Sequence, residues 1–579
     1  MKTFEPLTFA AVRAQLAAGH PLESLVREWW QRIEARGDDA VWIWRPQLEE
    51  VIASLPTDPA LPLYGLTFAV KDNIDVAGWP TTAACPEFRY IAAEDATVVA
   101  RLRAAGAVPL GKTNMDQFAT GLVGTRSPYG IPHCVSDAAF ISGGSSSGSG
   151  VAVAAGLCAF SLGTDTAGSG RVPAAFNGIA GLKPTRGRIS AAGVVPACRS
   201  LDCVSVFACD SGDAAEVLSV AEGADARDAF SRPAESAALW PAVLRIGVPR
   251  PDQREFFGDT AYAALYEAAI ARAAELGAEI VPIDFGPFAS AARLLYAGPW
   301  VAERAAAVGD FLATDHAGLD PTVRTIIRSA APWTARQAFE ARYELEALRA
   351  AAAAVWREMD LLLLPTAPSH YRIAEVLADP VALNTRLGTY TNFVNLLDLC
   401  AVAVPAGTVP GTARPFGVTF MAPAWQDNAL AAVAGKFVRR ELLSAPVPPD
   451  TIALSVAGAH LSGMPLHHQL TSRGARLLQR TKTAPGYRLY SLPNTTPPKP
   501  GLVRAPGFAG PGIEVEVYAL SPKDFGTFVA EVPAPMGIGT VELADGSPVK
   551  GFLCETFALE GAEDITAFGG WRAWKSRKR

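Results

Sequence analysis

Long apolar runs are missing from this chain: none approaches the roughly eighteen residues that a membrane-spanning helix needs. Charge of one sign is missing too. Lys and Arg number 51 against 57 Asp and Glu, and a net charge of −6 gives no pull toward nucleic acid or an anionic membrane. The opening residues, Met1 to Pro6, carry no apolar stretch of the kind that directs export, so a cytoplasmic location is expected. Cys85, Cys134, Cys158, Cys198, Cys203, Cys209, Cys400 and Cys554 include no C-x-x-C pair. A zinc site is therefore not expected, and the thiols are read as reduced. Histidine is scarce, with only His20, His133, His316, His370, His460, His467 and His468. What the chain does have is apolar mass: half its 579 residues are hydrophobic and 19% are charged, enough for two or more buried cores.

It also has two Gly/Ser-rich turns. The first is Ser142-Gly143-Gly144-Ser145-Ser146-Ser147-Gly148-Ser149-Gly150, and the second is Gly163-Thr164-Asp165-Thr166-Ala167-Gly168-Ser169-Gly170. Such turns bring backbone N–H groups and short hydroxyls close to a ligand, because no Cβ bulk intervenes. Flexible linkers share this composition. Here, however, the run from Val151 to Phe160 joins the two tracts and reads as a buried helix. A serine becomes a nucleophile only when a base takes its proton. Only His133 among the histidines is near in sequence, and Lys71 is the other base available. Lys71 ends the apolar run Leu61–Val70, which reads as a buried strand, and burial favours a neutral amine. A strand-end lysine in a salt bridge is the structural alternative.

Lys71-Asp72-Asn73, the run Gly106 to Asp116, Gly143-Gly144-Ser145-Ser146 and Gly163 to Ser169 resemble the amidase signature family in order and spacing, over roughly residues 1 to 440. The resemblance implies Ser169 as nucleophile, Ser145, entered through a cis peptide after Gly144, as proton relay, and Lys71 as base. It also implies an oxyanion hole from the N–H groups of Thr166, Ala167, Gly168 and Ser169. Ala167-Gly168 leaves those amides unobstructed where negative charge develops. No metal or organic cofactor is called for. The sequence departs from the family pattern twice, with GGSSSGSG in place of GGSSGG and Thr-Ala-Gly in place of Ile-Gly-Gly before the nucleophile.

Two other motifs compete. Gly106 to Thr113 fits G-x-x-x-x-G-K-T, but a helical pattern over Ala96–Ala105 precedes it and a strand pattern starts at Val108, the reverse of a phosphate loop. Pro109 also lacks an amide for phosphate. Gly144 to Gly148 fits G-x-S-x-G, which would make Ser146 a nucleophile with a histidine base and leave Ser169 and Lys71 without work.

Along the chain, residues 7 to 35 carry two helical patterns, with Pro21 opening the second and Trp29-Trp30 set to face apart. One of the pair is expected to pack against another segment, and the pair is compatible with a homodimer. From 61 to 220, short apolar strands alternate with helices, which argues an α/β sheet covered on both faces. Val172-Pro173 starts a helix after Ser169. A second half begins at Leu244, with a helix over Ala261–Leu276 and strands at Glu279–Ile283, Met359–Pro365 and Ala401–Gly407. The last of these resembles the closing strand of the amidase core. Residues 441–452 read as a proline-rich linker, with a smaller α+β domain at 453–579 that opens on a strand-like run over Thr451–Leu461.

Pro299 is expected to restart a helix that sets Trp300 and Arg304 on one face. Arginine grips a carboxylate with two parallel bonds, and a tyrosine hydroxyl adds a third. The segment Leu294–Arg304 resembles the allophanate hydrolase branch of the family, which implies Tyr296 and Arg304 as holders of a substrate carboxylate. Gly458 to Leu470 distantly resembles the glycine turn of gamma-glutamylcyclotransferase-like domains and singles out His460, with Glu531 as an accompanying acid. The expectation is hydrolysis of a small carboxylate-bearing amide, allophanate, to ammonia and carbon dioxide through N-carboxycarbamate. Nucleic acid and membrane are not expected as partners. A glutaminase-like amidotransferase component is the alternative within the family.

Overall fold

A computed structural model describes the chain apart from residues 1, 236–238, 242, 315, 444–449, 494, 578 and 579. The described chain divides into two units, residues 1–235 with 244–443 and residues 236–243 with 444–579.

An eleven-stranded mixed sheet carries the first unit. Its strands are β1 Trp42–Trp44, β2 Thr67–Lys71, β3 Val108–Thr113, β4 Phe160–Asp165, β5 Ala180–Lys183, β6 Cys203–Ala208, β7 Arg245–Pro249, β8 Glu279–Ile283, β9 Leu361–Pro365, β10 Leu399–Thr408 and β11 Pro415–Pro423. They lie side by side as β1-β3-β2-β4-β6-β5-β10-β11-β9-β7-β8. β2 runs parallel to both its neighbours, and the middle of the sheet, from β4 to β9, is antiparallel. Every residue of β2, β3 and β4 is buried, as expected of strands covered on both faces. Helices Ser147–Ala154, Ser211–Ala221, Thr260–Glu275 and Asp427–Arg439 flank the sheet.

Several expectations need correction. The strand before Lys71 starts only at Thr67, because Leu61–Leu66 forms turns with Pro62 lacking a donor and Gly65 at φ 74°. The helix between the two glycine turns starts at Ser147 and ends at Ala154, so the last four residues of the first Gly/Ser tract are helical. β10, expected to close the core, lies inside the sheet between β5 and β11. Both Trp29 and Trp30 are buried, at 0% and 5% exposure, so neither offers a free face to a partner chain. Trp30 packs under the Arg45 guanidinium, 5.2 Å from its ring.

In the second unit a five-stranded and a three-stranded sheet enclose a core that includes Leu454, Val515, Val517, Leu489 and Trp571. The strand expected over Thr451–Leu461 is Ile452–Val456, and a turn follows it through Gly458 and His460. Of the linker, Pro446, Pro448 and Pro449 lie outside the described residues.

Candidate functional site

Lys71 sits at the end of β2, fully buried, and its Nζ donates to Ser145 Oγ at 2.8 Å and to Thr164 Oγ1 at 2.7 Å. Both hydroxyls come from the glycine turns, one from each. Burial pushes the Lys71 ammonium down to about 7, against the opposing pull of Asp116, Asp165 and Asp202, and the charge of Arg304 pushes the same way as burial. A lysine so placed is half neutral near neutral pH, as a general base must be. If neutral Lys71 is the base, kcat/KM falls about tenfold per pH unit below pH 7 and levels off above it, because the protonated amine accepts nothing. A pH–rate profile flat from pH 5 to 8 would exclude that role.

Ser145 follows a cis peptide bond from Gly144. Gly144 cannot carry a side chain: a Cβ there would stand 2.1 Å from Asp116 Oδ2. Asp116 is buried and accepts from the amides of Val123, Gly124 and Arg126, so it fastens the loop over residues 117–126 beneath Ser145.

Ser169 lies on the second turn. Its Oγ donates to Gly121 O at 3.4 Å, and no hydrogen bond joins it to Ser145 Oγ. The structure therefore places Lys71 and Ser145 in contact but leaves the expected second link of the relay unmade. Such bonds are often long before substrate tightens the site. No backbone or side-chain acceptor of the described residues takes the N–H groups of Thr166, Ala167, Gly168 or Ser169. Gly168 permits this open turn at φ 147°, where a Cβ would meet Thr391 Oγ1 at 2.6 Å. The helix after the nucleophile spans only Val172–Asn177, so its end-charge is small.

The turn is held by a buried ion pair. Arg171 Nε donates to Asp165 Oδ2 at 2.8 Å and Nη2 to Oδ1 at 2.9 Å, and Gly170 N adds a third bond to the same carboxylate. Burial pushes Asp165 up, but the charge and hydrogen bonds of Arg171 outweigh it and hold the carboxyl below its ordinary value. Arg171→Met would strand a buried carboxylate and should lower stability by about 3–5 kcal/mol. Denaturant unfolding measures it, and a loss under about 1 kcal/mol would mean that solvent reaches Asp165.

Arg304 is buried, one turn into helix Val301–Leu312, with Pro299 and Trp300 just ahead of the helix rather than inside it. Its Nη1 donates to Thr120 Oγ1 at 3.0 Å and Ala119 O at 3.4 Å, and Nη2 donates to Tyr296 Oη at 3.1 Å. These bonds engage three of the five guanidinium N–H donors. The Arg304 guanidinium and the Ser169 hydroxyl are thus anchored on consecutive residues, 119 to 121, of one loop. Sequence reasoning missed that loop, as it missed Asp202, which accepts from Thr166 Oγ1 and from Ala197 N and Cys198 N. Neither has a motif. Thr164 stood inside a quoted motif without a role.

The competing motifs dissolve here. Lys112 belongs to β3, is buried, and spends its Nζ on Pro80 O, Thr81 Oγ1 and Asp72 at 3.2, 2.9 and 3.4 Å. Ser146 Oγ donates to Thr164 O at 3.2 Å and accepts from Thr164 N at 3.3 Å, tying one glycine turn to the other. The extra hydroxyls Ser147 and Ser149 likewise bond the carbonyls of Asn114 and Leu162.

In the second unit His460 and Glu531 line one cavity of about 230 Å³. It is mainly apolar, with Phe528, Phe552 and Met536 in its wall. His460 Nε2 pairs with Gln469 Oε1 at 2.8 Å, its ring stacks on Phe552 at 5.0 Å, and burial lowers its proton affinity. Glu531 is paired with Arg473.

The Amidase family profile matches residues 36–431, and the allophanate hydrolase C-terminal domain profile matches residues 452–576. The urea amidolyase of Lachancea kluyveri is 46% identical over 554 residues, covering 91% of this chain and 30% of that protein. The chain thus spans 30% of the length of the urea amidolyases it matches. A glutamyl-tRNA(Gln) amidotransferase component from Treponema pallidum is 36% identical over 432 residues, covering 65% of this chain and 82% of that one. Among solved structures, the allophanate hydrolase of Kluyveromyces lactis superposes with a TM-score of 0.81 at 42% identity, covering 99% of both chains.

Proposed function

The chain belongs to the amidase family, and from that premise we propose that it hydrolyses allophanate by a Ser169–Ser145–Lys71 mechanism. The observation that carries the reading is the shared loop: a buried arginine with donors to spare is anchored one residue from the carbonyl that takes the nucleophile's hydroxyl. A carboxylate on Arg304 and Tyr296 sets a neighbouring amide carbon within reach of Ser169. The likeness to urea amidolyases and to the Kluyveromyces lactis allophanate hydrolase supports the substrate, and the amidotransferase likeness covers 65% of this chain against 91% for the urea amidolyase.

In this reading neutral Lys71 accepts the Ser145 proton while Ser145 takes that of Ser169. Ser169 Oγ then attacks the terminal amide carbonyl, and the N–H groups of Thr166 to Ser169 receive the oxyanion. The proton returns through Ser145 to the leaving nitrogen, and ammonia departs. Water, deprotonated by the same relay, releases N-carboxycarbamate and restores Ser169. Every group in these steps is an acid, a base or a hydrogen-bond donor of the chain itself.

The work divides between residues 1–440 and 453–579. N-carboxycarbamate is a dianion: one proton at its bridging nitrogen lets the C–N bond break and carbon dioxide leave with carbamate. His460 carries that proton in the second unit, with Glu531 and Arg473 beside it. Carbon NMR of isotope-labelled allophanate tests the division. A chain stopped at residue 448 should release the first ammonia at close to the parent rate while the intermediate persists, and His460→Ala should do the same. Identical intermediate lifetimes in all three would leave the second unit without a chemical role. The reading includes a cytoplasmic location and a homodimer, the latter measurable by light scattering.

A further inference from the structure

The second glycine turn and the Arg304 helix are tied to each other through a third element, the loop over residues 197–202. Thr166 Oγ1 donates to Asp202 Oδ1, and Oδ2 of the same carboxylate accepts from Ala197 N at 2.8 Å and Cys198 N at 3.1 Å. Buried Asn395 adds a second tie, its Nδ2 donating to Asp165 O on the turn and to Leu201 O on the loop, both at 2.8 Å. The loop also meets the start of the helix. Cys198 Sγ donates to Trp300 O at 3.3 Å, and Ser200 gives its N–H and its hydroxyl to Glu303, the residue before Arg304. Ala167, Cys198, Leu201 and Trp300 share one buried apolar cluster. Thr166 stands where the sequence leaves the family pattern Ile-Gly-Gly, and an isoleucine there would have no hydroxyl to give Asp202.

An oxyanion hole works only where its donors meet the developing charge, and a misplacement of about 1 Å costs on the order of a hundredfold in rate. Arg304 and the turn have to grip two ends of one small molecule, so their separation matters as much as either grip alone. We propose that Asp202 is a positioning residue that keys the oxyanion turn to the Arg304 helix and so fixes the reach between the two grips. The inference rests on the proposed function, in which the turn receives the oxyanion and Arg304 the carboxylate.

Steady-state kinetics of the full chain on allophanate and on biuret, which offers the same carbonyl without the carboxylate, test it. Asp202 also closes its own loop, so the variant of choice is Thr166→Val, which removes only the shared bond. It should lower kcat on both substrates about tenfold or more and leave KM for allophanate within about threefold. Thr166→Ser keeps a hydroxyl and should stay within about threefold of the parent. Glu303→Gln, which loosens the helix end, should raise KM for allophanate about threefold or more and spare biuret. On allophanate the double variant should lose less kcat/KM than the product of the two single losses, because a brace freed at one end has little left to lose at the other. Rates taken well below every variant's thermal midpoint keep folding out of the comparison. Parent kinetics in Thr166→Val, or full multiplication of the two losses, overturns the assignment. Arg304→Ala separates this from the underlying reading. If Thr166→Val slows both substrates while Arg304→Ala spares both, the brace on the turn stands and the carboxylate grip falls. If Arg304→Ala damages allophanate alone while Thr166→Val behaves as the parent, the carboxylate grip stands and Asp202 does not position the turn.

Discussion

Ser169→Ala should lower kcat on allophanate by on the order of 10⁴-fold or more, with Lys71→Ala close behind. The two losses should not add. Once the nucleophile is gone a base has nothing to deprotonate, so the double variant should match the worse single one. Ser145→Ala should behave as part of the same unit, because the proposed relay runs through the Ser145 hydroxyl, which Lys71 Nζ contacts at 2.8 Å. Ser146→Ala is the informative contrast. Its hydroxyl spans Thr164 N and O, so removing it leaves a buried amide unpaired and should cost about 1–3 kcal/mol of stability with much of the activity kept. An inactive, well-folded Ser146→Ala beside an active Ser169→Ala would reverse the assignment. Steady-state rates and unfolding curves on the same preparations decide between these.

Arg304→Ala should reduce kcat/KM on allophanate by about ten- to a hundredfold or more, the worth of one or two charge-assisted hydrogen bonds. Specificity is the sharper readout. An amide without a carboxylate never used the guanidinium, so on the plateau above the acid limb its slow turnover should be nearly unchanged. The variant also removes a positive charge that pushes the Lys71 ammonium down, so the acid limb of the pH profile should move to higher pH. Tyr296→Phe should follow Arg304 in direction with a smaller loss, since it removes one neutral partner at 3.1 Å. Equal damage on acidic and neutral amides would mean that Arg304 braces the loop at Thr120 rather than gripping substrate.

Much of the site was legible because its chemistry is local. Lys71, Ser145 and Ser169 lie in runs whose glycines are required by close approach, as at Gly144 against Asp116, and such runs stand out in any sequence. The alternation of apolar strands and helices likewise announced the large sheet. The order of the sheet was not legible. β10 pairs with β5 over a separation of more than two hundred residues, and nothing in Leu399–Thr408 says whether it is central or terminal. The supports of Arg304 were hidden for a similar reason. Ala119, Thr120 and Gly121 act through backbone carbonyls and one hydroxyl, on a loop where Phe118 and Ala119 take positive φ of 48° and 52°, which residue type does not advertise. In the second unit the mainly apolar wall of the cavity comes from Phe528, Met536 and Phe552, far along the chain from His460, so no local run of sequence announces it.

The most direct test is ammonia release by the purified chain from equal concentrations of allophanate, biuret, urea and glutamine. Grip on a carboxylate beside a Ser–Ser–Lys amidase predicts that allophanate is turned over with a kcat/KM at least about a hundredfold above that of urea, biuret or glutamine. It also predicts that Arg304→Ala narrows that gap. Release from glutamine as fast as from allophanate, or none from allophanate, would contradict the account.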